Sequence, residues 1–193
     1  MGRPSCKDKI LTEGLRVVHE RGFSNASVRD IMHAAGGALG SFNNHFTSKE
    51  AFGLEVLNLY FESGRERTRE ILLDESVMPL ERLRNYIDAA TSALYGGGEW
   101  NGCLIGNMSA DVNEHSELIR QRIVEIFAEL RQDFADCLQA AVKAGELPES
   151  TDSDDLAGFI MSSLQGAHLE AKAEHSMEPI ERFKRVMFGT ILR

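Results

Sequence analysis

The sequence feature that most constrains the fold is a pair of adjacent glycines, Gly36 and Gly37, which interrupts a helical pattern soon after it begins. Ser27 is suited to cap the helix before them, and a second short helix is predicted after them, over about residues 38–44. A longer predicted helix precedes both and ends at Gly22. Two short helices joined by a tight glycine turn predict a helix-turn-helix. In such a unit one helix crosses the phosphate backbone while the next lies in the major groove of DNA, about 12 Å wide.

The rest of the chain is also predicted to be helical, because its apolar residues recur at helical spacing between start and stop signals. Six further helices are predicted: one capped by Thr47 with Glu50 at capping-box spacing, one from Pro79 to Gly96, one capped by Asn101 and ending near Val112, one from Ser116 to Gly145, one capped by Ser153 and one from Pro179. No segment has a convincing strand pattern. We therefore predict an all-α fold with a helix-turn-helix head over residues 1–50 and a helical body over residues 51–193.

Charge is divided unevenly between the head and the body. Residues 1–50 hold seven Lys and Arg against five Asp and Glu, a balance of +2, whereas residues 51–193 hold 14 against 25, a balance of −11. An acidic surface is repelled by a polyanion, so this division favours contact with nucleic acid through the head alone. A chance imbalance on a solvated surface is the alternative.

The composition narrows the class of protein. Apolar residues make up 42% of the 193 residues, which is typical of a globular chain and not of a disordered one. No run approaches the roughly 18 to 20 apolar residues of a membrane span, and the N-terminus has no apolar signal core. Three widely spaced cysteines are an odd number, which favours free thiols in a reducing compartment. We expect a cytoplasmic protein.

The head carries a specific family pattern. Its segments are Val28-Arg29-Asp30-Ile31, Ala34-Ala35-Gly36, the run from Gly40 to Phe46, and Ser48-Lys49-Glu50-Ala51. In order and spacing they resemble the signature of the tetracycline-repressor (TetR) family over about residues 8–58. The resemblance implies a DNA-binding head, and it implies that the helical body is an effector-binding and dimerisation domain.

The resemblance also implies roles for individual residues of the head. Ser27, His45 and Lys49 are expected to hold phosphates, and Ser41 and Asn44 to face bases or phosphates. Arg3, on an extended N-terminal arm, can enter a narrow minor groove, or it can belong to an untethered terminus. The complete set of expected DNA-binding residues is Arg3, Ser27, Arg29, Ser41, Asn43, Asn44, His45 and Lys49.

Two residues of the head depart from the family pattern. Asn43 departs from the family pattern, which usually has tyrosine there, and Leu39 replaces a residue that is often polar or basic. Both changes bear on the operator sequence and on affinity and leave the scaffold unaltered. Phe42 and Phe46 are expected to pack the small core of the head.

In the body, the start of the predicted sixth helix resembles one TetR subgroup. The Gly102-Cys103-Leu104 sequence and the Glu178–Phe183 segment are similar to repressors of reductases that clear N-ethylmaleimide and other electrophiles. The resemblance implies that Cys103 is an electrophile sensor, and a position in the first helical turn favours a thiolate. The alternative is a buried, inert cysteine. Trp100, three residues away, is the only tryptophan and completes the expected effector region.

No cofactor or metal is expected. Asp111, Glu114 and His115 have the spacing of ligands on one helix, as do His168 and His175, but the first group spans a predicted helix end. We interpret these side chains as solvated polar residues. No phosphate-binding loop or Ser-His-Asp order is present, so the sequence does not indicate an enzyme.

The predicted eighth helix suggests a homodimer. Gly158, Ser162 and Gly166 recur every four residues and leave a smooth stripe that allows another helix to come close, either from a second copy or from the same subunit. The function that the sequence favours is a dimeric repressor released from a palindromic DNA operator by a small molecule or electrophile. The alternative is an all-helical enzyme or small-molecule carrier without specific DNA binding.

Overall fold

The computed structural model describes residues 5–111 and 116–193, and these ranges contain helices and no strand. In chain order the helices are α1 (Cys6–Arg21), α2 (Val28–Ala34), a 3-10 helix (Leu39–Asn44), α3 (Lys49–Leu72), α4 (Pro79–Tyr95), α5 (Leu104–Asp111), α6 (Glu117–Lys143), α7 (Ser153–Glu174) and α8 (Glu178–Val186), followed by a π-helical turn at Met187–Ile191. The predicted all-α fold is confirmed. None of the described helices is long and apolar enough to cross a membrane.

The first turn of α3 is capped by Ser48, and the prediction that Thr47 caps it is wrong. Ser48 Oγ accepts a hydrogen bond from the backbone N–H of Ala51 at 3.0 Å. Glu50 does not close a capping box and instead accepts a hydrogen bond from the Ser116 hydroxyl at 3.2 Å. Two adjacent hydroxyl residues offer two possible caps, and the helix begins after the second.

A similar one-residue difference occurs at α7, where Asp152 is the cap and Ser153 is the first helical residue. The Asp152 carboxylate accepts hydrogen bonds from the backbone N–H groups of Asp154 and Asp155 at 3.1 and 3.0 Å. A carboxylate at this position satisfies two N–H groups and is also attracted by the helix dipole, so it is the stronger cap.

The chain forms two compact units. The first contains the described residues of Met1–Gly64 and Leu104–Glu125, and the second contains Arg65–Cys103 and Ile126–Arg193. α5 and the start of α6 therefore belong to the same unit as the N-terminal helices. The division of function at residue 50 stays a prediction.

The first unit is built around an aromatic cluster. Phe42, Phe46 and Phe52 are buried, and their ring centroids lie 5.1 to 5.8 Å apart. Gly14 of α1 lies against this cluster so closely that an added Cβ would be 2.4 Å from Cζ of Phe52 and 3.1 Å from Cγ2 of Ile31. Side chains of α2 and α3 therefore pack directly against the backbone of α1 at Gly14.

The second unit has a larger core formed by the apolar faces of α4, α6, α7 and α8. Its fully buried members include Leu83, Ile87, Leu138, Ile160 and Ile180. These residues recur at helical spacing in the sequence, which is why the helices carrying them were predictable.

Candidate nucleic-acid interface and effector region

α2 begins with a capping box that fixes the entry to the helix-turn-helix. Ser27 Oγ accepts the Asp30 backbone N–H at 3.1 Å, and the Asp30 carboxylate accepts both the backbone N–H and the hydroxyl of Ser27. These bonds, followed by the charge of Arg21 at 2.9 Å, lower the pKa of the Asp30 carboxyl. The predicted cap is confirmed, and Arg29, the second residue of α2, is exposed.

The turn between α2 and the 3-10 helix depends on Gly36. Its φ of 65° lies in the left-handed region, which residues with a side chain rarely adopt. The Gly36 and Gly37 N–H groups donate to the carbonyls of His33 and Met32 at 3.0 and 2.9 Å. The chain is thereby reversed within a few residues, as a helix-turn-helix requires.

The 3-10 helix presents polar residues to solvent because its apolar side is anchored in the core. Phe42 and Phe46 are buried, as predicted, whereas Asn43 and Asn44 are exposed. Ser41 and His45 are half-buried at the edges of this exposed side. The helix expected to enter the major groove therefore carries amide and hydroxyl groups on its free surface.

The expected DNA-binding residues differ in how far their polar groups are already engaged. Among the described residues, the side chains of Arg29, Asn43 and Asn44 have no hydrogen-bond or ion-pair partner, whereas the Ser41 hydroxyl donates to the Ala38 carbonyl at 2.7 Å. The Ser27 hydroxyl is held by Asp30. Arg3 lies outside the described residues.

Lys49, another expected phosphate ligand, already has partners within the protein. Its Nζ donates to the Ser24 carbonyl at 3.1 Å and lies 4.8 Å from the centroid of the Phe23 ring. Burial lowers the pKa of the Lys49 side chain, while the negative charge of Asp111 opposes that shift. Any phosphate contact by Lys49 therefore competes with a contact inside the protein.

Asp111 contributes to this region although the sequence interpretation gave it no role there. Its Oδ2 accepts the backbone N–H of Ser24 at 2.6 Å, and its backbone carbonyl accepts the Ser24 hydroxyl at 3.1 Å. The two residues are 87 positions apart, so no local pattern could have related them. We call Asp111, Ser24 and Lys49 the Ser24 clamp.

The start of α5 differs from the prediction. The helix begins at Leu104, so Asn101 does not cap it, and Cys103 is the residue before the first turn and not a member of it. Asn101 instead donates a side-chain hydrogen bond to Glu99 at 3.0 Å. Cys103 is half-buried, and its Sγ accepts a hydrogen bond from Gln165 Nε2 at 3.6 Å.

Trp100 lies in an aromatic and polar cluster within the second unit. Its ring stacks on His175 with centroids 5.8 Å apart and lies 5.2 Å from the Tyr95 ring. Tyr95 in turn contacts His168: the tyrosine hydroxyl is 3.2 Å from both Nδ1 and the backbone carbonyl of His168. Trp100 therefore has His175 and Tyr95 as neighbours, and Tyr95 joins it to the buried His168.

The interpretation of His168 as a solvated residue is wrong. It is only 4% exposed, and burial lowers its pKa to about 4. Burial also raises the pKa of Tyr95 to about 12. His168 lies on the apolar face of α7 with Leu164 and Ala171, and this position was the available sequence signal of its burial. His175 is exposed, as expected.

The other two cysteines differ sharply from each other. Cys6 is exposed at the start of α1. Cys137 is buried, its Sγ donates to the Pro79 carbonyl at 3.2 Å, and burial raises the pKa of its thiol to about 11. Cys137 is therefore protected against electrophiles.

An open groove of about 880 Å³ lies along α6 and α7. Its lining includes Phe127, Arg131, Asp154, Gly158, Ser162 and Gln165. Gln165 both lines this groove and contacts Cys103. Within residues 5–111 and 116–193, no cluster of His, Cys, Asp and Glu is arranged to hold a metal ion. Glu114 and His115, weighed above as ligands, lie outside the described residues.

Family models match both parts of the chain. Residues 10–56 match the model of bacterial regulatory proteins of the tetR family, and residues 79–187 match that of the tetracyclin repressor-like C-terminal domain.

Individual relatives agree with this match. The chain is 37% identical to the HTH-type transcriptional repressor DhaR of Mycobacterium sp. (strain GP1), with 100% of this chain and 95% of the relative aligned. It is 25% identical to the HTH-type transcriptional repressor NemR of Escherichia coli, over 91% of this chain and 88% of the relative.

Solved structures have the same fold. A regulatory protein TetR from Rhodobacter sphaeroides superposes with a TM-score of 0.86 at 29% identity, covering 92% of this chain and 94% of that one. The TetR family regulator CifR, a cysteine mutant complexed with 26 bp double-strand operator DNA, has a TM-score of 0.84 at 21% identity and covers 98% and 100% of the two chains.

Proposed function

The chain belongs to the TetR family of bacterial transcriptional regulators, and from this membership we propose that it is a repressor. It binds a palindromic DNA operator as a homodimer and is released by a small-molecule effector. Its relatives DhaR and NemR are named transcriptional repressors. Because its target is the DNA of the cell, we assign it to the cytoplasm.

The observation that carries the proposal is the two-sided character of the 3-10 helix. Phe42 is fixed in an apolar core, while Asn43 and Asn44 have free amide groups at the surface. Asparagine amides can pair with adenine in the major groove, so the exposed side has the chemistry of base recognition. Arg29 and His45 are assigned to phosphates beside it.

Selection of bound duplexes from a random DNA pool tests the proposal directly. We expect recovery of a palindrome whose half-sites lie about 34–36 Å apart, one turn of DNA, because a two-fold dimer presents two recognition helices. Binding should weaken steeply as salt rises, since phosphate contacts release counterions. If the protein enriched no DNA sequence and eluted from a heparin column at low salt, these results would support the alternative of a helical small-molecule carrier or enzyme.

The dimer is assigned to the stripe of Gly158, Ser162 and Gly166 on α7. Large apolar side chains flank it, and Phe159 and Leu169 are about half and two thirds exposed. An added Cβ at Gly166 meets nothing within 4 Å, so a larger residue fits in the isolated subunit.

Replacing Gly166 with Leu should therefore weaken dimerisation without unfolding the subunit, measured by sedimentation equilibrium. The matched control is Gly64→Leu on α3, where an added Cβ also has open space. An unchanged dimer constant in Gly166→Leu would remove the stripe from the interface.

The effector site is assigned to the region of Cys103 and Trp100. The helix α5 follows Cys103 in the chain, and we assign it the role of relaying effector binding. One candidate is a covalent electrophile sensor, supported by the half-buried thiol of Cys103 and by the 25% identity of the chain to NemR. A reversible ligand bound beside Gln165 and Cys103 is the second candidate, because these two side chains contact each other.

N-ethylmaleimide distinguishes the two candidates. We expect the wild-type protein to release its selected operator and to change Trp100 emission on treatment, and Cys103→Ser to do neither. Cys6→Ser serves as the control for labelling of an exposed thiol. Equal release in Cys103→Ser would favour the reversible ligand.

A further inference from the structure

Asp111 lies on α5, and its carboxylate is bonded to a segment far away in the sequence. The partner is Ser24, in the turn between α1 and α2, which is 87 positions away. The stabilisation of the Asp111 carboxylate comes from this turn.

All three polar groups of Ser24 take part in that stabilisation. The backbone N–H donates to Asp111 Oδ2 at 2.6 Å, and the hydroxyl donates to the Asp111 carbonyl at 3.1 Å. The Ser24 carbonyl accepts from Lys49 Nζ at 3.1 Å. A carboxylate and an ammonium group therefore hold one residue of the turn from two directions.

The Ser24 clamp encloses the helix-turn-helix in the sequence. Ser24 precedes Ser27, the cap of α2, by three residues, and Lys49 is the first residue of α3, just after the 3-10 helix. α2 and the 3-10 helix thus lie between two members of the clamp in the sequence. Its entry and its exit are held together by hydrogen bonds to Ser24.

We propose that Asp111 is a positioning residue for DNA binding, which holds the turn before α2 and the Lys49 side chain in the arrangement that the operator requires. The proposal rests on the proposed function, since it presupposes that α2 and the 3-10 helix bind DNA. Asp111 itself does not contact DNA, because a carboxylate would be repelled by phosphates.

Two substitutions separate the hydrogen bond of Asp111 from its charge. Asp111→Ala removes both, whereas Asp111→Asn keeps an oxygen that can accept the Ser24 N–H. For the operator selected with the wild-type protein, we expect Asp111→Ala to raise Kd about tenfold and Asp111→Asn about threefold or less. The control Glu13→Ala removes one negative charge from the same unit and should not weaken binding.

Amide hydrogen exchange of Ser24, measured without DNA, distinguishes a local loosening of the turn from a general loss of stability. We expect faster exchange of Ser24 in Asp111→Ala, with little change in the amides of α1 and α3 or in Tm. If Asp111→Ala unfolds the protein, Ser24→Ala, which removes only the hydroxyl bond, should still raise Kd measurably.

Two results would overturn the proposal. Equal or tighter operator binding by Asp111→Ala would mean that the carboxylate opposes DNA, and a raised Kd with unchanged Ser24 exchange would mean that the effect bypasses the clamp. Failure of the wild-type protein to select DNA is a different result and would refute the proposed function itself.

Discussion

The two compact units place their polar groups in opposite ways. In the first, the rings of Phe42, Phe46 and Phe52 form an apolar cluster, and the amides of the 3-10 helix lie outside it. In the second, the polar side chains of Tyr95 and His168 are buried among apolar residues. Burying apolar rings stabilises a fold, whereas burying polar atoms destabilises it unless they are fully hydrogen-bonded. The apolar core of the first unit therefore supports a polar surface, whereas the second unit keeps polar side chains in its interior by hydrogen-bonding them to each other.

The largest effect is expected from the core of the first unit. Phe42→Ala should lower the free energy of unfolding by about 3–5 kcal/mol, because it leaves a cavity between two other rings. Operator binding should be lost with it, measured by urea unfolding and by fluorescence anisotropy on labelled DNA. The control is Asn43→Ala, one residue away at the surface, which should leave the free energy of unfolding nearly unchanged. A Phe42→Ala protein that still binds the operator would disprove the dependence of the surface on this core.

The buried His168 of the second unit should make the free energy of unfolding depend on pH. The pKa of His168 is lowered to about 4 in the folded protein, from 6.5, so the unfolded chain binds a proton that the folded chain does not. The free energy of unfolding should therefore fall as pH decreases from about 6.5 to about 4, by as much as about 3 kcal/mol.

Urea unfolding at several pH values in this window tests the prediction. His168→Gln should remove most of this pH dependence, while the exposed-site control His33→Gln should retain it. Identical pH profiles for wild type and His168→Gln would assign the proton to another group.

Substitution of Thr91 should stabilise the protein, and this effect should be smaller than the two destabilising effects above. Its hydroxyl is buried without a hydrogen-bond partner among the described residues, which is destabilising. Thr91→Val keeps the shape and removes the hydroxyl, so Tm should rise by an amount equivalent to about 1 kcal/mol. Thr68, equally buried on α3 but engaged in an interaction, is the matched control, and Thr68→Val should not be stabilising. A lower Tm for Thr91→Val would indicate a partner for its hydroxyl.

The smallest change in stability is expected at Asn44. Asn44→Ala should alter the free energy of unfolding by less than about 0.5 kcal/mol, because the side chain is exposed. Discrimination between operator bases should nevertheless fall by about 1–3 kcal/mol if the amide pairs with a base. Competition binding with single-base operator variants measures this, and an unchanged base preference would assign Asn44 to the backbone of DNA.

The helix-turn-helix could be predicted because its determinants are local in sequence. Ser27 caps α2 through a residue three positions away, and Gly36 makes the turn through its own backbone. The positions of the helix caps were less certain, since neighbouring residues such as Thr47 and Ser48 have similar chemistry.

The contacts that join distant segments could not be read from spacing. Ser24 and Asp111 are separated by 87 residues, and Tyr95 and His168 by 73. Their pairing depends on how helices pack in three dimensions, which a periodic pattern does not specify. Cys103 could be singled out by its likeness to a subgroup, but its contact with Gln165 could not.

Gly14 has a consequence for the mutational tolerance of the protein. Gly36 is constrained by its backbone conformation, whereas Gly14 lies in an ordinary helix and is constrained by the Phe52 ring and Ile31 that occupy the space of its missing side chain. In a saturation library screened for function, both positions should retain glycine almost without exception. Only at position 14 should a second substitution, one that shortens residue 52, permit alanine, so the two glycines would differ in whether a partner mutation can replace them.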